Sequence, residues 1–121
     1  MANGFVHKDQ IKILMEQFAP YFNRYLDSES LKVQWVFPQE GLGGAEISRQ
    51  GDKELKIIKT EFYIKEIGGI ILDKIKVDLI EDNEGTFSIK VNGKLACSIE
   101  SRGRMDAHFL KSLARSIKDE I

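Results

Sequence analysis

The chain has 121 residues, 42% hydrophobic and 31% charged, which is the length of one domain with apolar surface enough for one core and excludes disorder. Lys and Arg number 18 against 19 Asp and Glu, a net charge of −1 that argues against a dedicated nucleic-acid binder and offers little self-repulsion against self-association. A single cysteine, Cys97, excludes an intramolecular disulfide and a cysteine-based metal cluster.

The same cysteine count fits a reducing compartment, so a cytoplasmic location is expected. No apolar run approaches the ~20 residues of a spanning helix, and the N-terminus lacks an apolar signal core, so no membrane association is expected. Pro20 and Pro38 make no proline-rich linker, and residues 1–121 read as one domain.

From about His7 to Asp27, Ile11, Leu14, Met15, Phe18, Phe22, Tyr25 and Leu26 recur at steps of three and four, the pattern of an amphipathic helix. Pro20 inside it removes a backbone donor and crowds the preceding turn, which predicts a kink or a break. Asp27-Ser28-Glu29-Ser30 reads as a polar loop. In the next segment Leu31, Val33, Trp35 and Phe37 alternate with polar residues, a strand stopped by Pro38. A glycine-rich loop over 40–44, a short strand over 45–49 and a turn over 50–53 follow.

Residues 54–67 fit neither face of a helix, because Ile57, Ile64 and Ile67 fall opposite Leu55, Ile58 and Phe62. As a strand, Ile58, Thr60, Phe62 and Ile64 share one face and Lys59, Glu61, Tyr63 and Lys65 the other. Gly68-Gly69 then turns the chain into a strand over 70–80 with Ile75, Val77 and Leu79 inward. Phe87, Ile89 and Val91 alternate next, then Leu95, Cys97 and Ile99. A two-residue Asn92-Gly93 turn would send the last two sets to opposite faces. A three-residue bulged turn brings them to one core, pairs Ile89 with Leu95 and Phe87 with Cys97, and keeps Leu79 opposite Phe87; that register is expected. A final helix starts at Met105 or Asp106 and runs to Asp119, with Phe109, Leu110, Leu113 and Ile117 buried and Asp106 as its N-cap. The fold expected is α+β: an antiparallel sheet of five to six strands with one helix near each end packed on it.

Residues 75–119 carry Val77-Asp-Leu-Ile80, Gly85-Thr-Phe87, Val91-Asn-Gly-Lys-Leu95, Ser98 and Gly103-Arg104, and in these the chain resembles the second half of the Rdx (selenoprotein W-like) family. The resemblance implies a thioredoxin-like fold as the alternative architecture. The family's Cys-x-x-Cys motif is missing, with Phe37-Pro-Gln-Glu-Gly-Leu-Gly-Gly44 in its place, so the resemblance implies a domain without redox activity.

Among residues that could carry chemistry, Cys97 faces the core in this pattern and reads as a small hydrophobe. His7 and His108 have neither metal-ligand spacing nor an evident catalytic partner, and His7 reads as having nothing near it. Glu81-Asp82-Asn83-Glu84 lacks the order of a calcium loop and reads as a charged hairpin tip. Gly41-Leu-Gly-Gly44 lacks the spacing and the Lys-Ser/Thr ending of a P-loop and reads as a flexible loop or binding lip. Trp35, Phe37, Tyr21 and Tyr25 are either core or the lining of an apolar pocket. The sharpest site is Ser101, Arg102, Gly103 and Arg104, with His108 beyond: two guanidinium groups and the free N–H groups of a helix start could hold a phosphate or carboxylate. Its bland reading is a polar connection whose glycine supplies an unusual backbone angle.

These readings set three functions in competition. The first is a non-enzymatic interaction or regulatory module, with a protein partner or a second copy of itself. The second is a binder of a small anionic ligand at Arg102-Gly103-Arg104, and the third a redox-inactive thioredoxin-like domain. No cofactor, metal or catalytic residue is expected, and nucleic acid is disfavoured by the charge balance.

Overall fold

The computed structural model describes residues 5–26 and 28–121, so the expected helix end at Asp27 falls outside the described residues. Helix α1 (Lys8–Leu26) is followed by β1 (Leu31–Val36), a short 3-10 turn (Gly41–Gly44), β2 (Glu46–Gln50), β3 (Lys53–Glu66), β4 (Ile71–Asp82), β5 (Phe87–Val91), β6 (Lys94–Ile99) and helix α2 (Ala107–Lys118). The strands form one six-stranded sheet ordered β1-β3-β4-β5-β6, in which β2 continues the β1 edge by pairing the start of β3. Every pairing is antiparallel. The α+β architecture expected from the periodicities is the one found. The thioredoxin-like alternative requires parallel strands and a long helix between residues 31 and 67, and that stretch carries strands and a 3-10 turn instead.

Both helices pack on one face of the sheet, α1 against β1 and α2 against β5 and β6. Alternation along β3 and β4 supplies that face: Ile58, Phe62, Ile64, Ile75, Val77 and Leu79 are buried, while Lys59, Glu61, Lys74 and Lys76 stand exposed on the other. At the β1 end, Phe18 and Phe22 of α1 meet Phe62 edge-on, with ring centroids 5.8 and 5.1 Å apart, and Trp35 packs edge-on to Phe18 at 5.4 Å. The Trp35 indole N–H donates to the Thr60 hydroxyl at 2.6 Å, which donates to the Val77 carbonyl at 2.6 Å, so the inward-facing threonine is satisfied. Trp35, Phe37, Tyr21 and Tyr25 are thus partly buried margins of the core. Full burial of Phe18, Phe22 and Phe62 contributes about 1.5–3 kcal/mol each.

Two local expectations are corrected. Helix α1 runs unbroken through Pro20, which lies on its exposed side. Phe18 and Phe22, fully buried on the opposite side, hold both halves of the helix to one core, and this packing outweighs the lost hydrogen bond.

The second correction concerns the β5–β6 hairpin. Asn92 and Gly93 both have positive φ, 49° and 83°, the two-residue turn that the Asn-Gly pair favours, and Val91 faces Lys94. The register then shifts between Ile89 and Lys90, leaving Ala96 as the extra residue of a bulge. Ile89 therefore faces Cys97 and Phe87 faces Ile99, while Leu95 pairs with Lys90 on the open face and is 63% exposed. The core demand is met, but by a bulge inside the strand and not in the turn. Leu79 faces Ile89 in place of Phe87, a two-residue slide that keeps the same face.

Candidate functional site

The loop from β6 to α2 is built around Gly103. Its N–H donates to the Glu100 carbonyl at 2.8 Å, and a Cβ on it would lie 2.5 Å from Ile99 Cγ2 and 2.9 Å from the Glu100 oxygen. Glycine is needed here for close approach. The unusual backbone angle belongs to its neighbour Arg102, whose φ is 72°. The Gly103 carbonyl accepts from Gln10 Nε2 of α1 at 3.3 Å, tying the loop to the first helix.

A cleft of about 460 Å³ lies beside β6, between Ala96–Glu100 on one side and Arg104, Asp106, His108, Phe109 and Ser112 on the other. It brings together Arg104 and His108 of the expected anion site; Ser101, Arg102 and Gly103 do not line it. Arg104 shares the cleft with two carboxylates, Glu100 and Asp106. Asp106 is the N-cap expected from sequence: its carboxylate accepts from the Phe109 N–H at 2.9 Å. The protein's own carboxylate therefore holds the helix-start position where an external anion would bind. Cys97 is in the same cleft, and burial pushes its thiol up to about 12 from 9.0, so it stays protonated and poorly nucleophilic.

The glycine-rich turn borders a second cleft, of about 490 Å³, where Leu42, Gly43 and Ala45 face Phe5, Lys8 and Lys12 of the N-terminal segment and Ile47, Glu54 and Lys56 of the sheet edge. A third concavity, about 320 Å³, is a trough between the helices. Leu14, Phe18, Tyr21, Met105 and Leu110 line it, with Ile13, Gln17 and Arg24 also bordering it. Among the described residues, no group of three or more His, Cys, Asp or Glu side chains is placed to hold a metal ion, and no helix is long and apolar enough to cross a membrane.

Sequence reasoning missed two features. His7 is 4% exposed, with Nε2 3.0 Å from the Gly85 carbonyl, and its ring lies 6.0 Å from that of Phe87. Glu81 is 1% exposed, and its carboxylate accepts from the N–H groups of Val6 at 2.7 Å and His7 at 3.2 Å. It is therefore a structural group inside the fold, separate from the exposed Asn83 and Glu84 of the hairpin tip. The second feature is the β3–β4 tip. Ile67 and Ile70 in the turn and Ile71 and Leu72 at the start of β4 are 61, 64, 40 and 47% exposed. The signal was present as an uninterrupted apolar run at a Gly-Gly turn, where polar residues are the rule.

The tip has a defined shape. Glu66 N–H donates to the Ile70 carbonyl at 2.9 Å, Gly69 N–H to the Glu66 carbonyl at 3.0 Å, and Ile67 N–H to the Ser30 carbonyl at 3.1 Å. Compared with protein-family models, with curated proteins and with solved structures, the chain matches none.

Proposed function

We propose that this chain is a non-enzymatic, cytoplasmic interaction module that self-associates as a homodimer through its β3–β4 tip. The observation that carries the reading is the exposure of four large apolar residues within six positions, Ile67 and Ile70 on a turn pinned by backbone hydrogen bonds and Ile71 and Leu72 at the start of β4. Exposed apolar residues clustered at an ordered tip are the usual mark of a contact surface, and the order of the turn lowers the entropic cost of docking. Its flanks carry Lys65 and Glu66 on one strand and Asp73 and Lys74 on the other, both signs in equal number. Such a rim complements a second copy of itself about a two-fold axis, where each cation can face an anion.

Cys97 supports the non-enzymatic reading, because the one thiol in the cleft beside β6 is held protonated. It also fits a reducing compartment, as the cytoplasm is. The patch is smaller than the 20–30 residues a side of a standard interface, so the dimer is expected to be weak and concentration-dependent.

Light scattering behind size exclusion, from micromolar to millimolar protein, tests this. The apparent mass should rise toward twice the monomer for the native chain and stay monomeric for Ile70→Lys with Leu72→Lys. A native chain that stays monomeric throughout this range overturns the reading.

A further inference from the structure

The trough between α1 and α2 has a composition that self-association through the β3–β4 tip does not use. Leu14 and Phe18 form its floor, buried at 2% and 1% exposure, and Met105 and Leu110 wall it from the α2 side. Ile13, at one end, is 50% exposed, and Arg24 marks the other end. Between those residues the trough follows about 16 Å of α1, at 1.5 Å per residue. That length matches three turns of a second helix, and a compact small molecule would cover only part of it.

Charge decides what kind of helix fits. From Ile13 to Leu26, α1 contains two charged residues, Glu16 and Arg24, of which Arg24 lines the trough, and α2 from Ala107 to Lys118 contains Lys111, Arg115 and Lys118. Glu16 does not line the trough, and α2 contains no aspartate or glutamate. Lys118 also reaches across toward α1, with Nζ 5.5 Å from the centroid of the Tyr25 ring, so a cation stands on each side of the Arg24 end. In a chain whose net charge is −1, four cations against one carboxylate are a local excess of positive charge beside an apolar floor.

We infer that this trough docks an amphipathic helix of a partner protein, apolar at positions i, i+4 and i+7 and acidic on the flank that meets Arg24 and Lys118. The apolar side chains fill the trough, and the carboxylates set orientation and speed the encounter. Because a different surface is used, this inference and the homodimer reading stand or fall separately.

Fluorescence anisotropy of the full chain tests it, with a labelled synthetic helix carrying leucine at i, i+4 and i+7 and glutamate elsewhere, beside the same peptide with lysine for glutamate. The acidic peptide should bind and the basic one should not, and added salt should weaken binding. Arg24→Glu with Lys118→Glu should weaken the acidic peptide about tenfold or more and favour the basic one. Gln17→Trp, at an exposed position on the lip, should block the acidic peptide while circular dichroism remains native. The inference is overturned if the two peptides bind equally, if neither binds, if Gln17→Trp leaves binding unchanged, or if dodecanoate displaces the acidic peptide stoichiometrically. Light scattering of the Ile70→Lys, Leu72→Lys variant, which keeps the trough, reports the homodimer reading independently of these outcomes.

Discussion

The carboxylate of Glu81 sits on the backbone of His7, 74 residues away in sequence, and holds the N–H groups of both Val6 and His7. Alternation along β4 that buries Ile75, Val77 and Leu79 must also turn residue 81 inward, and the start of α1 supplies the donors that make a buried carboxylate tolerable. The His7 ring continues the tie through the Gly85 carbonyl, so the first helix is locked to the β4–β5 turn at the end of the sheet where Phe87 lies.

Replacing this group tests its role. Glu81→Ala should cost about 2–3 kcal/mol, because it leaves two donors without their acceptor in a packed site. Glu81→Gln, which keeps the shape and one acceptor, should cost about 1 kcal/mol. Urea unfolding followed by circular dichroism measures both. A cost below about 0.5 kcal/mol for the alanine variant would show that water satisfies those donors equally well.

The connection before α2 separates two backbone effects. Gly103→Ala puts a methyl 2.5 Å from Ile99 Cγ2 and 2.9 Å from a carbonyl oxygen, and should destabilise by about 1–3 kcal/mol. Arg102→Gly relieves a positive φ of 72° and should leave stability unchanged or raise it by up to about 1 kcal/mol. The opposite pattern in thermal melts would mean that Arg102 makes a stabilising contact larger than its backbone strain.

Cys97 gives a pH signature. Its folded-state value is raised to about 12 against 9.0, so the unfolded chain releases the thiol proton first as pH rises. Its contribution to stability is complete below pH 9 and is lost progressively as pH climbs from 9 toward 12. Native protein at pH 8 should react with a disulfide reagent far more slowly than urea-unfolded protein. The Cys97→Ser chain should lack the thiol's part of the alkaline loss. Equal reactivity of folded and unfolded chains would place the thiol in solvent.

At Pro20 the expected change is a gain. Pro20→Ala restores a backbone donor within an unbroken helix at an exposed position, and should stabilise by about 1–3 kcal/mol. A loss in the melting temperature would show that the ring itself packs.

Where burial repeats with a fixed period, the fold was legible. Ile58, Thr60, Phe62 and Ile64 face inward as read, and so do Ile75, Val77 and Leu79. The Asp106 cap was legible because its chemistry is local, three residues from its donor. The β5–β6 register was half legible. The need to bury Cys97 and Ile99 beside Ile89 and Phe87 was visible, but many placements of one extra residue satisfy it, and the turn-favouring Asn-Gly pair pushed the bulge on to Ala96. The break foreseen at Pro20 failed because a local rule met long-range packing by Phe18 and Phe22. The β4 alternation carried on to residue 81 points Glu81 inward, but its partners, and those of His7, had no local signal, since each is supplied by a distant part of the chain. Of the expected anion site, Arg104 and His108 meet in one cleft, and the two carboxylates there, Glu100 and Asp106, flank Arg104 within four residues of it in sequence.

Self-association turns on what the oily β3–β4 turn touches in solution. An isotope-filtered methyl NOE spectrum, recorded on an equal mixture of labelled and unlabelled chains at millimolar concentration, reads this directly. The expected result is cross-peaks between copies among the methyls of Ile67, Ile70, Ile71 and Leu72, and their loss in the Ile70→Lys, Leu72→Lys variant. An absence of intermolecular peaks in the native chain, or peaks arising only from another surface, would contradict it.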